Sequence, residues 1–93
     1  MNVKHVPGED RGDIILYAIS TCGWCRKTKE LLKSLGVEYR YIDIDLLQGE
    51  EKDRVMEELK KHNPMCTAPT VVVNNKECII GFDEEKIRKV LGR

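Results

Sequence analysis

One run of residues, Ser20-Thr21-Cys22-Gly23-Trp24-Cys25-Arg26-Lys27-Thr28-Lys29, sets most of what this chain can fold into. Ahead of it lies Asp13-Ile14-Ile15-Leu16-Tyr17-Ala18-Ile19, which is apolar and β-favouring. After it, Thr28, Leu31, Leu32 and Leu35 fall on one face of a helical pattern. Cys22 therefore stands where a strand gives way to a helix, and Cys25 lies one turn further on. Residues three apart on a helix are neighbours, so the two sulfurs can reach disulfide distance with little backbone movement. The start of a helix also offers unpaired N–H groups and a partial positive charge, which stabilise an anionic sulfur. A strand, a dithiol and a helix in that order predict an α/β fold with a reactive end.

The 93 residues make one domain and can bury one modest core without disulfide staples. Sixteen basic residues balance sixteen acidic ones, so net charge favours neither nucleic acid nor an anionic membrane as partner. No apolar run approaches transmembrane length. The start, Met1-Asn2-Val3-Lys4-His5-Val6-Pro7-Gly8-Glu9-Asp10, lacks the apolar core of a signal peptide, which predicts a cytoplasmic protein. In such a compartment, four cysteines with two of them in Cys-x-x-Cys point to catalysis or metal binding rather than to a structural framework.

Residues 1–12 read as a polar lead-in with Pro7, Gly8 and Gly12, in which Val3 to Val6 could add a short edge strand; residues 13–93 read as a single domain. The first strand spans 13–19. A helix from about Gly23 to Leu35 stops at Gly36, a residue suited to the left-handed position past a helix end. Residues 38–44 alternate and predict a second strand. A helix over about 50–61 has an acidic start and a basic end, as its dipole prefers, and Asn63-Pro64 closes it. Thr70 to Val73 and Glu77 to Ile80 form a hairpin around Asn74-Asn75. Asp83 can N-cap a last helix that buries Ile87, Val90 and Leu91. The order is β-α-β-α-β-β-α, with the first two strands parallel through a right-handed crossover.

Two further motifs accompany the cysteines. Cys66-Thr67-Ala68-Pro69-Thr70 puts a proline at the opening of a strand, where it need not donate to a ladder and where a cis bond is at home. Gly81-Phe82-Asp83 opens the last helix, a second set of free N–H groups able to hold a carboxylate. Thr21-Cys22-x-x-Cys25-Arg26-Lys27-Thr28, Thr67-Ala68-Pro69 and Cys78-Ile79-Ile80-Gly81-Phe82-Asp83 together resemble, in order and spacing, the three conserved segments of the glutaredoxins. The resemblance covers about residues 13–92. It implies a thioredoxin-like fold, a four-stranded mixed sheet of order 2-1-3-4 counted from the strand at 13–19, with helices on both faces.

It further implies a thiol–disulfide oxidoreductase acting on protein disulfides or mixed disulfides, as a monomer. Cys22 would attack and Cys25 resolve, the redox-active disulfide Cys22–Cys25 being the only redox group and no metal being needed. Thr21, Gly23, Trp24, Thr67, Ala68, Pro69, Gly81, Phe82 and Asp83 would bind substrate. The backbone of Ala68 would pair with the bound thiol, and Asp83 would meet the α-amino and carboxylate end of glutathione. The electron donor would be glutathione or a disulfide reductase. Three departures bear on that choice: Ile19 stands where glutathione-using members carry lysine, Gly23-Trp24 replaces Pro-Tyr, and Ile80 replaces the first of two glycines. Without the lysine, glutathione's glycine carboxylate lacks one anchor, which Lys61 or His62 would have to replace.

Other readings of the same residues stay open. Cys22 and Cys25 could be half of a zinc site completed by Cys66 and Cys78, making a zinc-stabilised binding module. Alternatively, Cys22 could hold an iron–sulfur cluster bridging two subunits. Cys66 reads as a third thiol facing the site or as a small buried hydrophobe, and Cys78 as the latter. Trp24, between the cysteines, reads as a partly exposed platform for a partner. His5 and His62 read as solvated.

Overall fold

The computed structural model describes residues 3–93; Met1 and Asn2 of the expected lead-in lie outside the described residues. In chain order the elements are β1 (Val3–Val6), β2 (Ile14–Ala18), α1 (Gly23–Ser34), β3 (Tyr39–Asp43), a 3-10 turn (Ile44–Leu46), α2 (Gly49–His62), β4 (Thr70–Val73), β5 (Glu77–Ile80) and α3 (Glu84–Leu91). They form a thioredoxin-like α/β fold around a mixed sheet of order β1-β3-β2-β4-β5.

β2 and β3 run parallel, with Leu16 opposite Tyr41 and Ala18 opposite Asp43. β4 is antiparallel to β2, with Tyr17 opposite Thr70, and the β4–β5 hairpin sets Thr70 opposite Ile80. Asn74 and Asn75 make its turn at φ 54° and 55°, a conformation asparagine tolerates better than most residues. Gly36, at φ 71°, follows α1 in the left-handed position expected of it.

The sheet has five strands rather than the four expected. Val3–Val6 pairs antiparallel with β3, Val3 opposite Ile42 and Val6 opposite Tyr39. The segment reads as polar because Lys4 and His5 face solvent. Its two valines nevertheless pack on opposite layers of the core, and β3 supplies the ladder that a sequence pattern cannot show. The 2-1-3-4 order of the other four strands is retained within the five.

Two apolar layers lie on either side of the sheet. The first unites Leu16, Ala18, Val71 and Ile79 with Cys25, Leu31 and Leu32 of α1 and Ile87 and Leu91 of α3. The second joins Tyr17, Ile42 and Val72 to Ile44, Leu47 and Leu59, under α2. Alternation along β2 and β4 is what sends Leu16 and Val71 one way and Tyr17 and Val72 the other. β3 ends one residue short of its expected end. Asp45, in the 3-10 turn, accepts hydrogen bonds from the backbone N–H (2.8 Å) and the hydroxyl of Ser20, which turns the chain out of the strand and fixes the loop that leads to Cys22.

Candidate redox site

α1 begins at Gly23, and Cys22 is its N-cap, with extended backbone at φ −84° and ψ 120°. The cap position is normally held by a side chain that accepts from the first turn. Here a sulfur does so: the N–H of Cys25 donates to Cys22 Sγ at 3.1 Å. The sulfur thus lies at the end of the helix where the partial positive charge of the backbone gathers. Cys22 is half-buried, whereas Cys25 is 1% exposed inside the first apolar layer, and both are free thiols. Burial pushes the Cys25 thiol up to about 12, and the hydrogen bond it shares with Cys22 adds to the rise. One sulfur therefore meets solvent at the cap of a helix, and the other waits behind it as a protonated thiol.

The other two motifs converge on this pair. The Ala68–Pro69 bond is cis, and Ala68 packs on the same apolar layer as Cys22 and Phe82. Gly81 donates its N–H to the Pro69 carbonyl at 2.8 Å, tying the glycine segment to the proline. Phe82 stacks on Trp24, ring centroids 5.7 Å apart and planes at 29°, while Lys27 Nζ lies 4.9 Å from the indole centroid. Trp24 is thus an exposed aromatic ring in contact with Phe82 and Lys27. Asp83 caps α3, accepting from the N–H of Lys86 at 3.1 Å.

Thr21 and Gly23 lie exposed beside Cys22. A Cβ at Gly23 would meet open space, so the position faces solvent. The Thr67 hydroxyl is engaged by Asn63 Nδ2 at 2.9 Å.

The remaining cysteines do not join the site. Cys66 packs against the second layer, across the sheet from Cys25. Cys78 lies opposite Val72 of that layer and donates its S–H to the His62 carbonyl at 3.2 Å. A four-cysteine zinc site is not assembled by this arrangement, and among the described residues no group of three or more His, Cys, Asp or Glu side chains is placed to hold a metal. Lys61 and His62 are engaged elsewhere. Lys61 pairs with Glu58 at 3.2 Å, and His62 Nε2 lies 3.0 Å from Asn75 Oδ1 in the turn at the far end of the hairpin. His62 is accordingly half-buried rather than solvated; His5 stays exposed, 3.4 Å from Glu38.

Two supporting residues were not singled out from the sequence, and a third, Lys29, reads there only as part of a basic run after the cysteines. Asp45 anchors Ser20, as above. Asn63 is fully buried: its Nδ2 donates to the Thr67 carbonyl (3.3 Å), the Thr67 hydroxyl and Thr70 Oγ1 (3.0 Å), and its Oδ1 accepts from Met65 N–H (3.1 Å). It therefore shapes the loop that delivers the cis bond; Asn63-Pro64 had suggested only a helix stop. Lys29, one turn beyond Cys25, pairs with Asp43 at 3.1 Å above the Tyr41 ring.

A model of the glutaredoxin family matches residues 14–79, which include both cysteines and the cis proline. A glutaredoxin-like 8.6 kDa protein of the rubredoxin operon of Clostridium pasteurianum is 30% identical over 78 residues, covering 84% of this chain and 96% of that protein. Among solved structures, the glutaredoxin from Methanosarcina mazei Go1 superposes with a TM-score of 0.93 at 44% identity, covering 100% of this chain and 90% of its own. The methanoredoxin of Methanosarcina acetivorans gives 0.89 at 45% identity, over 92% of this chain and 90% of its own.

Proposed function

Because this chain belongs to the glutaredoxin family, we propose that it is a dithiol oxidoreductase that reduces disulfides in proteins, with Cys22 as nucleophile and Cys25 as resolving thiol. The observation that carries this reading is the contrast between the two sulfurs: Cys22 half-exposed at a helix N-cap and accepting an N–H, Cys25 buried and protonated.

The thiolate of Cys22 attacks one sulfur of the target disulfide. A bond forms between Cys22 and that sulfur, the target S–S bond breaks, and the departing thiolate takes up a proton. Cys25 then gives up its proton and attacks Cys22, forming the Cys22–Cys25 disulfide and releasing the second target sulfur as a thiol. Two electrons pass from the dithiol to the target, and a thiol donor returns the pair to the reduced state. The chemistry requires no group beyond the two sulfurs.

The donor is read from the same end of the molecule. Ile19 is exposed where an ammonium would hold glutathione's glycine carboxylate, and Lys61 and His62 are engaged elsewhere. These features favour a protein reductase over glutathione.

Single-turnover reduction of a protein disulfide tests the assignment. Cys22→Ser should abolish it. Cys25→Ser should still attack but stop at the mixed disulfide, recoverable as a covalent adduct on a non-reducing gel. Wild-type rates in Cys22→Ser, with adducts forming through another cysteine, would reverse the roles. Repeating wild-type turnover with glutathione and with a flavin- or ferredoxin-linked disulfide reductase compares the two donors.

A further inference from the structure

The large apolar side chains left exposed among the described residues are Ile19, Trp24, Leu46, Met65 and Ile80, between 39% and 79% exposed. They are far apart in sequence, yet all belong to one end of the sheet. β2 and β3 finish there side by side at Ala18 and Asp43, β4 starts there at Thr70, and β5 ends there at Ile80 opposite Thr70. Ile19 follows β2, and Trp24 is in the first turn of the helix it leads to. Leu46 sits in the turn after β3, next to the Asp45 that holds Ser20. Met65 lies on the loop running to the cis bond, its N–H held by Asn63, whose amide also reaches Thr70. Among the described residues no other large apolar side chain is exposed.

Exposed apolar groups gathered on one face mark a surface that another molecule covers. The charges around them are divided. Arg26 and Lys27 are exposed on the α1 side of Trp24, and Asp83 and Glu85 on the α3 side, beside Phe82. A tripeptide with two carboxylates and one ammonium could use the charged flanks but would leave the apolar ring uncovered. A polypeptide loop would match both, provided that its disulfide is bordered by apolar residues, with an acidic side chain toward Arg26 and Lys27 and a basic one toward Asp83 and Glu85.

We infer that the ring of Ile19, Trp24, Leu46, Met65 and Ile80 is the docking surface for a partner protein's disulfide loop of that composition, and that it selects such loops over small polar disulfides. The inference rests on the oxidoreductase reading and gives it a substrate class. Leu46 and Met65 take no part in the sulfur chemistry, so they separate docking from exchange.

The test compares two synthetic disulfide peptides, identical except that leucine and phenylalanine flank the cysteines in one and serine and glycine in the other, with bis(hydroxyethyl) disulfide as a small substrate. Wild type should reduce the apolar peptide about tenfold more efficiently in kcat/KM than the polar one, a difference one or two well-placed apolar contacts can supply. In Leu46→Ser/Met65→Ser the two peptides should become nearly equal, with turnover of bis(hydroxyethyl) disulfide unchanged. Equal wild-type rates on the peptides, or a preference that survives both substitutions, would overturn the inference. So would a dimer at assay concentration that the substitutions dissolve, since a second copy would then be the occupant. If no disulfide is turned over at all, the oxidoreductase reading fails. The ring is then judged by NMR titration with the apolar peptide: shifts at the Leu46 and Met65 amides support it, and their absence overturns it.

Discussion

Cys25 carries a proton that the second half of the exchange requires it to lose. Burial raises its pKa from the ordinary 9.0 to about 12, and the shared hydrogen bond with Cys22 works the same way; Lys29, one turn on, pulls in the opposite direction. The raised value has a consequence for stability. A group whose folded pKa lies above its unfolded one contributes stability that is intact below the unfolded pKa and lost as pH rises through the folded pKa. For Cys25 that window runs from about pH 9 to about pH 12. Only the reduced chain has this proton. Tyr39, also raised to about 12 by burial, titrates in both redox forms and cancels from their difference. Urea unfolding of the two forms across this window should therefore show the reduced form losing stability relative to the oxidised one. A difference that stays flat would place the Cys25 thiol in a wetter environment than the first apolar layer.

At the scale of elements, what could be read from the sequence was what neighbours along the chain decide. Gly36 past α1, Asn74-Asn75 in the hairpin turn and Asp83 as the cap of α3 are signals of local backbone chemistry, and each stands where expected. β1 was legible only as an option, because its pairing with β3 joins residues more than thirty positions apart. Asp45 was hidden for the same reason: its partner, Ser20, is 25 residues away. The side of the sheet on which Cys66 falls could not be read either, since strand alternation does not extend through an irregular loop. Asn63 is the clearest case of an element built by one residue. Replacing it with alanine removes the donor to Thr67 and Thr70 and leaves the Met65 N–H without its acceptor, while the Thr67 carbonyl keeps its bond from the Thr70 hydroxyl (2.7 Å). Losses of this kind cost about 1–3 kcal/mol for each buried group. Asn63→Ala should thus destabilise the protein by roughly 2–3 kcal/mol in urea unfolding, whereas replacement of the exposed neighbour Met65 by serine should change stability by less than about 0.5 kcal/mol.

For the molecule as a whole, the sheet acts as a partition with different chemistry on its two sides. α1, α3 and the Cys22–Cys25 pair occupy one side; α2, Cys66 and Cys78 the other. The partition works as electrical insulation. Thiol exchange needs sulfurs in contact, so a layer of valine, leucine and isoleucine side chains separates Cys66 and Cys78 from the Cys22–Cys25 pair within the molecule; on the proposed dithiol reading, the four thiols then hold one exchangeable pair of electrons. A count of reactive thiols would overstate its capacity twofold. Oxidising the chain and then treating it with a small alkylating reagent should mark Cys66 ahead of Cys78, whose S–H is held by the His62 carbonyl and whose pKa burial raises, and leave the disulfide untouched; after reduction, turnover should return in full. Activity lost with the alkylation of Cys66 would mean that the insulation leaks. If it holds, Cys66 is a free attachment point on the quiet side of the sheet, where a dye or an electrode linker can be fixed without entering the circuit it is meant to observe.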